Sequence, residues 1–312
     1  MSNAENAAMA VSRAMTAFVA VVVIGVAGCG SAWADCAFRA SALEAQQVDN
    51  GPELRALFER AAADPGCDAA FRIWLGKAVA RVTEKRVYQA VQTGQSIEPF
   101  ADELERALRY AKSWRILAWL GDIARDRKNY SDAGTRYQDS LAAINDEAAT
   151  PSAPPREVIE QIFRRAEQAR LLSASYIPAP RTRGVPQGLG AASVRGFVPQ
   201  RVAVPIEFGY DSTDFTDKGA LAVADLLGLL RQQNMPSITL IGHTDPAGSD
   251  DYNMKLSLNR AQAVREYLLA NGYSGPIAVE GRGKREPLAV DDQARYSSNE
   301  LHKMYRRVEL QR

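Results

Sequence analysis

The sequence predicts an α+β protein: an all-α first part, then a final third of βαβαβ…β order built around a mixed sheet. Three observations carry this. From 35 to 176, apolar side chains recur at spacings of three and four with few β-branched runs, the signature of amphipathic helices. From 198 onward, short β-branched runs alternate with helical stretches, an order that gives strands joined by helical crossovers. Between them, YIPAPRTRGVPQGLGAASVRGFVPQ (176–200) is dense in Pro and Gly and has no apolar period, so 177–197 is expected to be a mobile linker. A chain of 312 residues has room for two domains, and 46% hydrophobic with 24% charged residues is a globular composition. A formal net charge of +1 argues against a nucleic-acid-binding field.

The first 34 residues read as a targeting segment. Arg13 supplies a positive n-region, FVAVVVIGVAG an apolar core too short to span a bilayer, and Ala32-Trp33-Ala34 a small-residue cleavage site. A second processing route stays open: Val26-Ala27-Gly28-Cys29 resembles a lipobox, which would make Cys29 a lipidated first residue. Both routes export the chain, and a lipid on Cys29 would be its membrane attachment. Export favours a disulfide between Cys36 and Cys67, with two buried thiols as the alternative.

The helical part is expected over 35–176. Leu54, Leu57, Phe58 and Ala61 share one face, and Phe71, Trp74, Leu75, Ala78 and Val82 share another. Thr93-Gly94-Gln95-Ser96 marks a break. In WRILAWLGDIARDRKNYSDAGTRYQDSLAA (114–143), Leu117, Leu120, Gly121, Ala124, Ala133 and Tyr137 fall at the positions of a tetratricopeptide repeat. One clear repeat leaves two readings open, a tetratricopeptide-like domain with a concave protein-binding surface or a plain helical bundle. Val158, Ile162, Phe163 and Ala166 point inward from a closing helix.

In the last part, strands are expected at 201–208, 237–241, 276–280 and 306–311, with helices at 217–232 and 253–270 packed on one sheet face. Lys218 reads as an ordinary amphipathic-helix position. The stretch ITLIGHTDPAGSDDYNMKLSLNRAQAV (238–264) organises the domain. A buried strand ends at Gly242, a polar turn follows, and Asn253 is placed to cap the next helix. Asn253, Ser257 and Arg260 fall on one stripe of that helix, and Asp245 sits at the strand's C-terminal edge. A carboxylate and a guanidinium thus meet in one crevice, which suits a ligand with both an ammonium and a carboxylate.

GHTD (242–245) followed by N-x-x-L-S-x-x-R-A-x-x-V (253–264) resembles the peptidoglycan-binding domain of the OmpA family, shared with peptidoglycan-associated lipoproteins and flagellar motor stators. IEF (206–208) with Asp211-Ser212, EGRGKREP (280–287) and RRVEL (306–310) agree, so the resemblance covers 198–312. It implies an OmpA-like α/β sandwich with a mixed sheet. It also implies that Asp245 and Arg260 hold the diaminopimelate of a peptidoglycan stem peptide. Thr244, Asn253, Asp211, Ser212 and Arg306 would line the same pocket. Tyr305 departs from the family, which has an asparagine there; Asn299 is the candidate substitute.

Two histidines and three unpaired-spacing cysteines offer no metal site, and no nucleophile–base set appears, so neither a metal, a cofactor nor an enzyme is expected. The expected function is non-covalent anchoring of an outer-membrane or periplasmic protein to the wall. The alternative is an envelope-assembly scaffold whose helical domain recruits a protein partner while the C-terminal domain positions it.

Overall fold

The computed structural model describes residues 36–312. The targeting segment 1–34 and the lipidation candidate Cys29 lie outside the described residues. The described residues divide into two compact units, one ending at Ile123 and the other covering 124–312.

The first unit is helical: α1 (Arg39–Gln47), α2 (Gly51–Ala63), α3 (Ala69–Gln92), α4 (Ala101–Leu108) and most of α5 (Trp114–Asp126). Asn50 caps α2 by accepting from Glu53 N–H at 3.2 Å, and Asp68 caps α3 by accepting from Phe71 N–H at 2.7 Å. Leu54, Leu57, Ala61, Phe71 and Leu75 form one core with Cys36 and Cys67; Val87, Leu104, Ile116 and Leu120 form a second. Cys36 and Cys67 are joined by a disulfide, closing a loop with a sequence separation of 31. In the chain-entropy account such a loop stabilises by about 3–4 kcal/mol. Reduction, or the Cys36→Ser/Cys67→Ser variant, is therefore expected to lower the first unit's unfolding free energy by about that amount. Denaturant curves with and without reductant measure it, and coincident curves would refute it.

The second unit begins in the last turn of α5 and includes α6 (Tyr130–Asn145) and α7 (Arg156–Leu172), which pack on each other. The unit boundary thus falls inside the helix pair of the single expected repeat. Leu117 and Leu120 are core residues of the first unit, whereas Ala133 and Tyr137 are buried in the second. The segment 177–197 behaves unlike a solvated linker. It folds into a short hairpin of β1 (Arg181–Thr182) and β2 (Val185–Pro186), then buries Leu189, Val194 and Phe197, the last edge-on to Phe163 at 5.5 Å.

The sheet consists of β3 (Arg201–Val204), β4 (Ile238–His243), β5 (Ile277–Gly283) and β6 (Val308–Gln311) in the order β3-β6-β4-β5. Its two β6 pairings are antiparallel, and β4–β5 is parallel across helix α9 (Asp250–Ala270). The sheet is therefore mixed, as expected. Thr216 caps α8 (Asp217–Gln232), whose bounds match the periodicity. Val223, Leu226 and Leu230 of α8 and Val264 and Leu268 of α9 pack on Val204, Leu240, Val308 and Leu310.

The other face is covered too, contrary to the one-sided packing expected. Ala203 is buried against Leu171 and Leu172 of α7 and Met304 of α10 (Ser298–Tyr305), a helix the periodicity did not reveal. β3 is an edge strand, and the carboxyl group of Glu167 accepts its Ala203 N–H at 2.6 Å through Oε1. Further ties run from Lys128 and Tyr130 to Glu300 of α10 and from Tyr176 to Asp225 of α8.

Burial pushes the Glu167 carboxyl up to about 8, and the charge of Glu309 adds to this against the Ala203 bond and the nearby arginines. A carboxyl raised in the fold contributes stability below its ordinary value near 4.5 and loses it as pH rises toward 8. The second unit is expected to weaken by on the order of 2–3 kcal/mol between pH 5 and 7. Glu167→Gln, which retains an acceptor for Ala203, should flatten that slope. Urea midpoints at the two pH values decide the matter, and an unchanged slope in the variant would refute the assignment.

Candidate functional site

The site grows out of the close approach of β4 and α9. Gly242 lies so near α9 that a Cβ there would meet Ser257 O at 2.0 Å. That contact brings the strand end, and with it Thr244 and Asp245, alongside the first turns of α9.

α9 starts three residues earlier than expected. Ser249 is its cap, accepting from Tyr252 N–H at 3.3 Å, with Asp250 and Asp251 in the first turn. Asn253 therefore does not cap the helix. It is 2% exposed and donates through Nδ2 to Ala247 O at 2.7 Å, pinning the 244–248 loop to α9. Ser257, also buried, accepts from Gly283 N–H at 2.9 Å and fixes the end of β5.

One turn further along, Arg260 reaches the loop after β3. Phe208 bridges to Phe215, and Asp211 takes the left-handed conformation (φ 46°) at the tip between them, one that aspartate tolerates better than most residues. Arg260 donates through Nε to Ser212 O at 3.2 Å and through Nη2 to Gly209 O at 3.4 Å, its guanidinium 5.2 Å from the Phe208 ring centre. Asp211 also accepts from the Tyr252 hydroxyl. Asp245 faces this loop. Its Oδ1 accepts from Ala247 N–H at 3.0 Å and its Oδ2 from Arg306 Nη1 at 2.6 Å. Burial acts to raise the Asp245 carboxyl, but the bonds from Arg306 and Ala247 outweigh it and hold it below the usual carboxylate value.

Asp211, Thr244, Asp245, Asn253, Arg260 and Arg306 line one cavity of about 540 Å³. Ser212 does not; its carbonyl serves Arg260, while its side chain faces an adjoining cleft beside Tyr252. Arg306 sits between α10 and β6 rather than on the last strand. Tyr305 ends α10, and Asn299 is exposed on its first turn, outside the cavity lining. His243 is buried with its Nε2 3.5 Å from Glu309, and neither ring nitrogen makes a hydrogen bond among the described residues.

The sequence reading missed Lys218, Lys303 and Arg307, which also line the cavity. Lys218 is 8% exposed and donates to Leu171 O at 3.1 Å and Ser173 O at 2.7 Å, while Lys303 donates to Leu172 O at 3.3 Å. These carbonyls end α7, where cations are favoured. Burial, with the charge of Lys303, lowers the Lys218 ammonium to about 8. A cation in the first turn of α8 opposes that helix's own dipole, which is the one sequence signal that marked it.

The charges do not cancel. Arg306 meets Asp245, Arg307 meets Glu309 at 2.6 Å, and Lys218 lies 3.5 Å from Glu207. Arg260 and Lys303 hold only carbonyl oxygens, with no carboxylate within 4.0 Å among the described residues. Burial, then the charge of Arg306, lowers the Arg260 guanidinium from its ordinary value. It stays protonated, because arginine does not give up its proton in proteins. The cavity lining thus sets five cationic side chains, Lys218, Arg260, Lys303, Arg306 and Arg307, against three carboxylates, Glu207, Asp211 and Asp245, and is net cationic. Among the described residues, no cluster of His, Cys, Asp and Glu side chains could hold a metal ion.

The model of the OmpA family matches residues 207–300. A peptidoglycan-associated lipoprotein of Pseudomonas putida is 30% identical over 131 residues, covering 40% of this chain and 75% of that protein. The chain belongs to the OmpA family. Outer membrane porin F of Pseudomonas aeruginosa is 35% identical over 92 residues, which cover 28% of this chain and 26% of porin F, so the chain spans about a quarter of that relative. Among solved structures, the cell wall anchor of the T6SS from Pseudomonas aeruginosa is 29% identical, with 35% of this chain and 76% of that one covered and a TM-score of 0.29. The OmpA-family match contains Asp211, Ser212, Thr244, Asp245, Asn253 and Arg260, whereas Arg306 and both α6 and α7 lie outside it.

Proposed function

We propose that this chain is an exported envelope protein that binds peptidoglycan non-covalently, with the diaminopimelate of the stem peptide in the cavity of the second unit. Arg260 carries the reading: a buried guanidinium, 7% exposed, whose hydrogen-bond partners are two carbonyl oxygens and which, among the described residues, has no carboxylate within 4.0 Å, although Asp211 and Asp245 act on it from further off. A ligand carboxylate satisfies that charge in fork geometry, and Asp245 accepts the ligand ammonium. Arg306, which pairs with Asp245 in the unliganded protein, then turns toward a ligand carboxylate. Family membership supports the wall as target, since relatives include peptidoglycan-associated lipoproteins. The activity is binding, not catalysis. Among the described residues, no helix is long and apolar enough to cross a membrane.

The test is co-sedimentation of the full exported chain with diaminopimelate-type and lysine-type peptidoglycan. The protein is expected to pellet with the first and not the second, and free meso-diaminopimelate should compete. Equal pelleting with both would sink the diaminopimelate assignment; failure with both would sink wall binding.

A further inference from the structure

The first unit has a cavity of its own, about 400 Å³, between α2, α3 and α4. Arg55 of α2, Arg86 of α3 and Arg106 of α4 converge on it, with Glu103 as the acidic residue of its lining. Arg86 pairs with Glu103. Arg55 and Arg106 make no side-chain hydrogen bond or ion pair to another described residue. Thr83, in the middle of α3, lines the cavity and is 4% exposed. Its hydroxyl likewise has no hydrogen-bond partner among the described residues, although a helical threonine ordinarily bonds the preceding turn. The remaining wall is apolar, and Tyr110 is held edge-on to Phe58 at 5.1 Å.

We propose that this cavity binds a carboxylate presented by a peptide segment of a partner protein. Two unpaired arginines suit a carboxylate, which one fork grips bidentately while the other adds charge. The Thr83 hydroxyl completes the oxygen's coordination, and Val79, Ala107 and Tyr110 receive the adjoining side chain. The volume lies at the lower end for small-ligand sites, so it takes a chain end or one acidic residue rather than a folded surface. Glu103 leaves a net charge of about +2 from the residues named and repels multiply charged anions such as phosphate monoesters. The proposal uses only the first unit, so it stands or falls separately from wall binding.

The full exported chain, with its disulfide intact, is immobilised and exposed to a random hexapeptide library. The library is made once with free C-terminal carboxylates and once amidated. Retention from the free set alone identifies a chain end as the source. Retention from both sets, enriched in Asp and Glu, identifies a side-chain carboxylate. Either result supports the site if Arg55→Gln with Arg106→Gln weakens the retained peptides at least tenfold and Thr83→Val weakens them severalfold. Sedimentation with peptidoglycan should be unchanged in these variants. Retention without carboxylate preference, retention that survives the double variant, or tighter binding of inorganic phosphate than of acetate would overturn the proposal. Loss of peptidoglycan sedimentation in the double variant would do so too.

Discussion

Arg260→Ala is expected to abolish sedimentation with diaminopimelate-type peptidoglycan while leaving the protein folded. Truncating one partner of a buried, hydrogen-bonded charge pair costs about 2–5 kcal/mol, or roughly 30-fold to several thousand-fold in affinity. Arg260→Lys separates charge from geometry. Lysine keeps the positive charge but loses the planar fork, so an intermediate loss is expected. Asp245→Asn should weaken binding by a similar route, removing the charge that meets the ligand ammonium. It also releases Arg306, now bonded to Asp245 Oδ2 at 2.6 Å. Arg260 has a second duty that the same variant exposes. Without its bonds to Ser212 O and Gly209 O, the 209–214 loop should exchange its amide hydrogens faster. If Arg260→Ala and Asp245→Asn both pellet with the wall as the parent does, the receptor assignment is wrong.

Gly242→Ala is expected to destabilise the second unit by about 3 kcal/mol or more. The added Cβ would sit 2.0 Å from Ser257 O and 2.7 Å from Ser257 C. Both are backbone atoms of α9, so relief requires the helix to leave the strand. The displacement would also carry Asp245, three residues on, away from Arg260, so binding should fall along with stability. Gly228→Ala is the control. It lies inside α8 with nothing within 4 Å of the new Cβ, and alanine there should stabilise by about 0.5–1 kcal/mol. A urea-unfolding cost below about 1 kcal/mol for Gly242→Ala would refute the packing argument.

Much of the site was legible because its chemistry lies in short, ordered spacings. The strand, which runs one residue past Gly242 to His243, the turn holding Asp245 and the helix carrying Arg260 follow from 27 consecutive residues, 238–264. The start of α9 was misplaced because Ser249-Asp250-Asp251 looks like loop composition. The same three residues are a cap followed by two acids in the first turn, and read that way they would have located the start. α10 carried a comparable sign: Ser297 and Glu300 form a capping box. Other features had no local sign. Pro- and Gly-rich composition cannot reveal that Phe197 finds Phe163, and nothing near Glu167 announces a bond to Ala203, 36 residues away. Contacts of that kind depend on tertiary neighbours, which periodicity does not encode.

The Glu167–Ala203 bond also bears on self-association. An open edge strand offers a row of donors and acceptors to any similar edge, which is how sheets of separate molecules join. Here α7 lies along β3, and the carboxyl group of its Glu167 occupies a donor that a second chain would otherwise take. A fragment begun at residue 198 would lose that guard, together with Leu171 and Leu172 against Ala203. Such a fragment is expected to dimerise or aggregate as its concentration rises, whereas one begun at 124 should stay monomeric by sedimentation velocity at the same concentration. Identical behaviour of the two fragments would show that α7 gives no such protection.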